Sequence, residues 1–196
     1  MLPLQFVLME LIRRMAKIDN DICYELNSNV SLLTDFHGST LEFSCGNSEI
    51  DRYFREVADK DCDCVTYVFS DIDTGDVIAF ASLRCSGIIF QDSNHLELFP
   101  AIEIRYFATD ERFQHIQMQT DLPNDRFCIS DSVFCELISM IRDIACSTIG
   151  AEYVVLYSVP SAVGFYRRNQ FEDFKEVFTP EQYFYINDCL PMYLPL

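Results

Sequence analysis

Basic residues are scarce in this sequence. Its 196 residues include 14 lysines and arginines against 31 aspartates and glutamates, which gives a formal net charge of −17 at pH 7. Nucleic-acid binding draws much of its affinity from basic side chains that neutralise phosphates, so the composition disfavours DNA or RNA as a partner. A cationic or amine-bearing substrate suits this long-range field better. A local basic patch would still allow tRNA to be a substrate.

Long hydrophobic runs are also missing. Hydrophobic residues make up 49% of the chain, but polar residues interrupt them everywhere. No run approaches the roughly 20 residues that a membrane span requires. The N-terminus lacks both a basic region and a small-residue cleavage site, so it does not resemble a signal peptide. The sequence therefore predicts a cytoplasmic protein that does not associate with a membrane.

Residues 1–18 are predicted to form an N-terminal helical extension of a single domain that covers residues 19–196. The apolar residues of a short amphipathic helix recur there at helical spacing: Phe6, Met9 and Ile12. Such a helix would pack on the domain or on a second subunit, which makes a homodimer one alternative. In a second alternative, the native protein starts at Met15 and residues 1–14 are an added extension.

Metal-binding clusters are absent from the sequence. Its nine cysteines are an odd number, and Cys62 and Cys64 form the one tight pair. The three histidines are scattered, and no two of them have the spacing of metal ligands. The sequence therefore predicts no metal site, and cysteines that stay reduced.

Hydrophobic periodicity predicts seven stretches of strand. They cover residues 22–33, 65–70, 77–90, 101–109 and 152–159, followed by the last strands within 171–178 and 192–196. The turn Asp73–Asp76 favours a hairpin between the second and third of these strands. Polar and apolar residues alternate over 101–109, as expected for a central strand.

Three helices are predicted between these strands. The first follows an N-cap at Asn47 or Ser48, and the second runs from Ser130 to about Cys146. A short third helix covers residues 161–168, and an extended loop covers residues 111–129. The order of elements indicates an α/β fold with a mixed, mostly antiparallel central sheet flanked by helices.

Three segments resemble motifs of the GNAT acetyltransferases, and in particular those of the toxin–antitoxin type. The segment Phe43–Gly46 and the helix after it resemble the F-x-C-G motif and first helix of those enzymes. The segment Tyr106–Gln114 resembles their fourth strand and its exit. The segment Ala162–Phe171 resembles the A-x-x-F-Y-x-x-x-G-F signature near their C-terminus. The resemblance implies the GNAT fold over about residues 22–196.

The resemblance also implies catalytic roles. In the family an amine attacks the thioester of acetyl-CoA, and backbone N–H groups near Phe107 and Thr109 would stabilise the oxyanion. Tyr166 matches the tyrosine that protonates the leaving thiolate, although it is also placed to be a core residue of a short helix. Glu103 is a candidate base and Arg105 a candidate partner for a substrate carboxylate. The alternative for both is a solvated strand face or an internal ion pair.

The phosphate loop departs from the family pattern. GNAT enzymes hold the CoA pyrophosphate with a glycine-containing loop at a helix N-terminus. Here both glycine positions are glutamines, Gln117 and Gln119, and about ten extra residues follow. Either a rebuilt loop binds acetyl-CoA, or the site has lost it. The predicted cofactor-binding residues are Phe107, Ala108, Thr109, Arg112, Gln114, His115, Ile116, Gln117, Met118, Gln119, Ser130, Asp131 and Ser132.

The sequence therefore favours an N-acetyltransferase that moves an acetyl group from acetyl-CoA to a primary amine of a small molecule or protein. One alternative is a catalytically silent GNAT-like binding or regulatory protein. Another is toxin-like acetylation of aminoacyl-tRNA. A weaker alternative is an interaction domain that uses the N-terminal helix and the aromatic cluster 178–185.

Overall fold

The computed structural model describes residues 15–18, 22–25, 27–92, 95–118, 127–174, 178–180 and 189–196. Ten strands lie within these ranges: β1 Met15–Ile18, β2 Ile22–Glu25, β3 Ser28–Leu32, β4 Val65–Asp71, β5 Val77–Asp92, β6 His95–Thr109, β7 Tyr153–Ser158, β8 Glu172–Asp173, β9 Phe178–Pro180 and β10 Leu190–Pro195. The α-helices are α1 Ser48–Glu56, α2 Ile129–Ile144 and α3 Val163–Arg168. A π-helical turn, Ala145–Ile149, continues α2.

The strands form a mixed sheet. Their hydrogen-bonded order is β3-β4-β5-β6-β7-β10-β8, and β9 pairs with β5, while β1 and β2 form a separate antiparallel pair. The pairs β3–β4, β7–β10, β8–β10 and β5–β9 are antiparallel. The pair β6–β7 is parallel, from Ala101–Tyr153 to Ile104–Leu156. This arrangement confirms the predicted α/β class with a mixed, mostly antiparallel sheet.

The chain divides into two compact units. The first contains residues 1–61, 66–80 and 107–136, and the second contains residues 62–65, 81–106 and 137–196. Because these ranges alternate along the chain, no single sequence boundary separates the units. The single domain proposed for residues 19–196 stays a prediction.

An aromatic cluster forms the core of the first unit. Phe54 stacks on Phe80 with the ring centroids 4.2 Å apart, and Phe43 meets both rings edge-on. All three side chains are buried. Helix α1 delivers Phe54, and Asn47 caps it as predicted, because the Asn47 side chain accepts the N–H groups of Glu49 and Ile50. Val57, which follows the last residue of α1, is exposed.

The second unit has its own apolar cluster. Ile88, Ala101, Val155 and Tyr193 are buried together, with Phe99, Tyr153 and Phe174 packed against them. The aromatic rings meet in sequence across neighbouring strands: Phe99 with Tyr153 at 5.8 Å, Tyr153 with Tyr193 at 6.2 Å, and Tyr193 with Phe174 at 5.0 Å.

Several predicted elements differ from the structure. The strand predicted over residues 22–33 is divided into β2 and β3, which belong to different sheets. Strand β5 runs on to Asp92 and β6 already begins at His95, so residues 91–92 and 95–100 are also strand. Leu96 and Leu98 are exposed there, so backbone pairing rather than apolar burial maintains this end of the strand, and hydrophobic periodicity does not reveal it. The helical extension 1–18 lies outside the described residues up to residue 14, and Met15–Ile18 is a strand instead. Among the described residues, no helix is long and apolar enough to cross a membrane.

The Phe54–Phe80 stack predicts where the first unit is most sensitive to truncation. Phe54→Ala should lower the free energy of unfolding by about 3 kcal/mol, because it removes a buried ring and leaves a cavity. Denaturant titration followed by circular dichroism measures this change. The control is Leu41→Ala, since Leu41 is 74% exposed, and its effect should stay within about 0.5 kcal/mol. Equal losses in the two variants would contradict this account of the core.

Candidate functional site

Two of the motif segments meet in the first unit through a buried carboxylate. Asp110, which follows strand β6, is 2% exposed, and its Oδ2 accepts the Ser44 N–H at 3.2 Å. The Ser44 carbonyl accepts the Glu111 N–H at 2.8 Å. Gly46 has a φ of +84°, and a Cβ there would lie 3.1 Å from Glu111 Oε1. The glycine therefore suits both the turn and the close approach of Glu111.

Gln114 forms a second link between the same segments. Its Nε2 donates to the Cys45 carbonyl at 3.0 Å and to the Thr109 carbonyl at 2.9 Å. Both protons of the amide are thus engaged with the backbone. The sequence predicted Gln114 as a cofactor-binding residue; in the structure its amide nitrogen holds residues 43–46 against the end of β6.

Arg112 has carboxylate partners on all sides of its guanidinium group. Its Nε and Nη2 donate to Asp110 at 2.9 and 3.2 Å, and its Nη1 donates to Asp76 at 2.9 Å. These hydrogen bonds, the Asp110 bonds first, raise the pKa of Arg112 above its usual value. The sequence predicted that Arg112 helps to complete an anion site. The structure instead shows it neutralised by two carboxylates.

The glycine-less loop starts and ends as a short antiparallel ladder. Gln117 forms a β-bridge with Cys128. The Met118 N–H donates to the Phe127 carbonyl at 2.8 Å, and the Ile129 N–H donates to the Ile116 carbonyl at 3.0 Å. The Met118 N–H is therefore not available to a phosphate, and the Met118 side chain is buried. Gln119, also predicted to bind the cofactor, lies outside the described residues.

The start of helix α2 carries the remaining predicted phosphate ligands. The Asp131 carboxylate accepts the Cys128 N–H at 3.0 Å and so caps the helix. Ser130 Oγ donates to the Gln114 carbonyl at 3.4 Å. Ser132 is 1% exposed, and its Oγ has no hydrogen-bond partner among the described residues. A buried hydroxyl without a partner is costly, and the phosphate-binding role of Ser132 stays a prediction.

The end of β6 is the predicted oxyanion-binding segment. Ala108 and Thr109 are buried, and the Phe107 ring packs edge-on against Phe134 of α2 at 5.0 Å. The Asp110 N–H, immediately after the strand, donates to the Ile78 carbonyl of β5. Packing and pairing therefore hold this backbone in one place, as a preorganised donor requires.

Tyr166 lies on α3 in the second unit. Its ring contacts Phe165 at 5.2 Å and Phe171 at 5.8 Å, and the Phe171 N–H donates to the Tyr166 carbonyl at 3.0 Å. The side chain is partly buried. Burial raises the pKa of the Tyr166 phenol well above its usual value, so the hydroxyl keeps its proton at neutral pH.

Glu103 lies on strand β6 of the second unit, inside a cluster of charges. Its side chain is 2% exposed, and its Oε2 accepts a hydrogen bond from Arg84 Nη2 at 2.8 Å. Arg105 Nη1 is 3.9 Å from the other oxygen, Oε1. This is the internal ion pair that the sequence left open as an alternative to a catalytic base. Arg84 was missed, because a single arginine within a predicted apolar strand carries no sequence signal of its own.

The predicted site residues thus separate into two groups. The cofactor-binding candidates from Phe107 to Met118 and from Ser130 to Ser132 belong to the first unit. Within that group His115 is exposed and Ile116 is half-buried. The catalytic candidates Glu103 and Tyr166 belong to the second unit. In the described part of the chain, no group of three or more His, Cys, Asp or Glu side chains is placed to hold a metal ion.

Comparison with known proteins gives structural relatives only. No family model matches the sequence, and no curated protein matches it. Among solved structures, one described as a bacterial toxin is 17% identical and covers 86% of this chain and 90% of its own, with a TM-score of 0.63. The toxin AtaT complexed with acetyl-methionyl-tRNAfMet is 11% identical, with coverages of 86% and 95% and a TM-score of 0.63.

A further relative is a tyrosine-to-phenylalanine mutant of AtaT bound to acetyl-CoA and to the C-terminus of the antitoxin AtaR. It is 11% identical, with coverages of 86% and 93% and a TM-score of 0.61. These likenesses confirm that the chain has the fold of GNAT-type toxins, which the three motif segments had indicated. At these identities the fold is what they establish.

The position of Gln114 predicts a specific defect. Gln114→Glu replaces a double donor with a carboxylate that faces two carbonyl oxygens, and should lower the free energy of unfolding by about 2 kcal/mol at pH 7. The folded-state pKa of the new carboxyl should be raised, so the deficit should shrink as the pH falls towards 4. Denaturant titration at both pH values measures it. Gln117→Glu, at an exposed position, should show neither effect, and equal behaviour of the two variants would refute the role of Gln114.

Proposed function

We propose that this protein is an acetyl-CoA-dependent N-acetyltransferase whose acceptor is a primary amine of a small molecule or of a protein. The fold supports the proposal, because it is shared with a toxin that has been crystallised with acetyl-CoA. The observation in this chain that carries it is Tyr166, a phenol that keeps its proton on the short helix after β7.

In the proposed reaction the amine nitrogen attacks the thioester carbonyl carbon and the C–S bond breaks. The leaving thiolate takes a proton from the Tyr166 hydroxyl, and the nitrogen loses its own proton to a base. A phenol can act as the acid in this step because it stays protonated at neutral pH. The Tyr166 ring packs against the rings of Phe165 and Phe171.

The first unit would hold the CoA pyrophosphate at the start of α2. The helix start supports this assignment, since first-turn N–H groups that lack an acceptor in the protein attract phosphates. The Asp131 carboxylate and the neutralised Arg112 make this position less positive than the family pattern requires. We therefore expect weak binding of acetyl-CoA, with affinity supplied by backbone donors more than by charge.

The base remains the least supported role. Glu103 was predicted for it, but its carboxylate is buried and hydrogen-bonded to Arg84. The Arg84 hydrogen bond and the burial of the carboxylate leave little room for an incoming amine at this group. The geometry supports a structural role for Glu103 between two arginines, and its role as a base stays a prediction.

Acetylation of aminoacyl-tRNA is a second candidate function. It is favoured by the relative complexed with acetyl-methionyl-tRNAfMet. The net charge of −17 works against it, because a polyanionic substrate needs a basic surface. We therefore place a small or proteinaceous amine first.

A catalytically silent binding protein is the third candidate. The pairing of residues 116–118 with residues 127–129, and the neutralised Arg112, favour it. A cytoplasmic location and homodimerisation belong to the proposal as sequence-based predictions.

Tyr166→Phe should lower kcat at least about 100-fold in a thiol-release assay, because it removes a general acid, and should leave the affinity for acetyl-CoA unchanged. Tyr67→Phe is the matched control, since Tyr67 lies in β4 of the other unit and burial likewise raises the pKa of its phenol. Unchanged turnover in Tyr166→Phe would remove Tyr166 as the proton donor.

Titration calorimetry with acetyl-CoA separates the three candidates. We expect binding in the micromolar to millimolar range, and acetylation of small amines that does not require tRNA. An absence of binding at millimolar acetyl-CoA would favour the silent protein over the enzyme. Tight tRNA binding that weakens steeply with added salt would favour the aminoacyl-tRNA acceptor.

A further inference from the structure

The charge cluster of the second unit has an excess of positive charge. Arg84 and Arg105 share one carboxylate, Glu103, so two guanidinium charges and one carboxylate charge leave one positive charge. This excess stands out in a chain whose formal net charge is −17. A mostly buried arginine without a full set of acceptors costs free energy of folding. A function in ligand binding would explain why the protein retains it.

Arg84 has unused hydrogen-bonding capacity. Its side chain is 20% exposed, and among the described residues its one hydrogen bond goes to Glu103. A guanidinium group offers five N–H donors in a planar fork. Arg105 is 34% exposed and lies 3.9 Å from the carboxylate, which is an ion pair at the outer limit and longer than a hydrogen bond. Both arginines retain donors for a further oxyanion.

The cluster lies where two strands part. Parallel pairing of β6 with β7 ends at Ile104 and Leu156, and Arg105 and Tyr157 are the next residues on the two strands. Tyr157 is also within electrostatic reach of Glu103, Arg84 and Arg105, and burial first and Glu103 second raise the pKa of its phenol to about 12. Its hydroxyl is therefore a proton-bearing group at neutral pH. The parting of neighbouring strands is a common position for ligands in α/β sheets.

We propose that Arg84 and Arg105, oriented by Glu103, bind a carboxylate of the acceptor, so that the preferred acceptors are amines that also carry a carboxylate group. One net positive charge and a planar donor fork match a single carboxylate. They match a polyphosphate or a tRNA backbone poorly, because those ligands need several cations. The inference about preferred acceptors rests on the proposed acetyl transfer. The inference that Arg84 and Arg105 bind a carboxylate does not depend on that reaction.

Binding is tested first, without acetyl-CoA. The probe is 3-fluorobenzoate, observed by fluorine NMR, with 3-fluorobenzamide as its uncharged counterpart. The wild-type protein should bind the benzoate at least about tenfold more tightly than the amide, the scale of a charge-assisted hydrogen bond. Arg105→Gln should abolish this preference. Arg167→Gln is the matched control, because Arg167 pairs with an exposed carboxylate, Asp173, in the same unit.

Loss of Arg84 alone leaves Glu103 buried with a weakened partner and endangers the fold. The double variant Arg84→Gln with Glu103→Gln removes both charges and retains the hydrogen-bonding shape. It should fold, as judged by circular dichroism, and bind 3-fluorobenzoate no better than 3-fluorobenzamide. A double variant that keeps the preference would show that Arg84 does not bind the carboxylate.

Turnover is tested second, with amino acids and the amines obtained by removing their carboxylates. The amino acids should show at least a tenfold higher kcat/KM, and Arg105→Gln should remove this difference through KM. Benzoate binding without any acetyl transfer would overturn the proposed enzyme and leave the anion site standing. Acetyl transfer with equal use of both series would overturn the carboxylate site and leave the enzyme standing. Stronger displacement of the probe by inorganic phosphate than by acetate would also overturn it.

Discussion

The buried carboxylate of Asp110 is the interaction on which the candidate cofactor-binding region depends. Its oxygens accept the Ser44 N–H and three donors of Arg112, namely the backbone N–H, Nε and Nη2. An ionised carboxylate this deeply buried requires such partners. The residues around it therefore have little freedom. Arg112 must turn its guanidinium group towards Asp110, and residues 43–46 must lie against the end of β6. Gln114 then spans two carbonyl oxygens. The side chains of Arg112 and Gln114, which the motif would assign to ligand binding, thus form hydrogen bonds within the protein.

Because the protein has few basic residues, the pairing of an arginine with carboxylates affects which anions the protein can bind. Arg112 and Arg167 are paired with carboxylates, and the role of Arg112 in the phosphate loop stays a prediction. Arg84 and Arg105 differ, because one carboxylate serves both. A protein with an acidic field attracts cations and amines over long range, and a local positive excess then selects among them. In the proposed reaction, charge at the two scales would act on different parts of one acceptor, the amine and the carboxylate.

Much of the fold was predictable because its signals are local. The Asn47 cap, the start of α2 near Ser130 and the alternation over residues 101–109 each depend on residues a few positions apart. A helix or strand is present at each place, although β6 begins earlier than predicted, at His95. The ends of β5 and β6 were not predictable, since exposed residues such as Leu96 and Leu98 carry no burial signal. In the site, Tyr166 was identified by its motif, whereas the partners of Arg112 and Gln114 and the presence of Arg84 beside Glu103 lay beyond any local pattern.

The sequence by itself determined the α/β class, the main helices and strands, the acidic character and the position of Tyr166 on a short helix. Periodicity, capping and composition are sufficient for these, because each is set by neighbouring residues or by simple counts. The tertiary structure decided which polar groups are already occupied. Gln114 and Arg112 are engaged with the protein, while the Ser132 hydroxyl is not. The reason is that a hydrogen bond or ion pair between residues as distant in sequence as Cys45 and Gln114, or Arg84 and Glu103, exists only after the chain has brought them within about 3 Å.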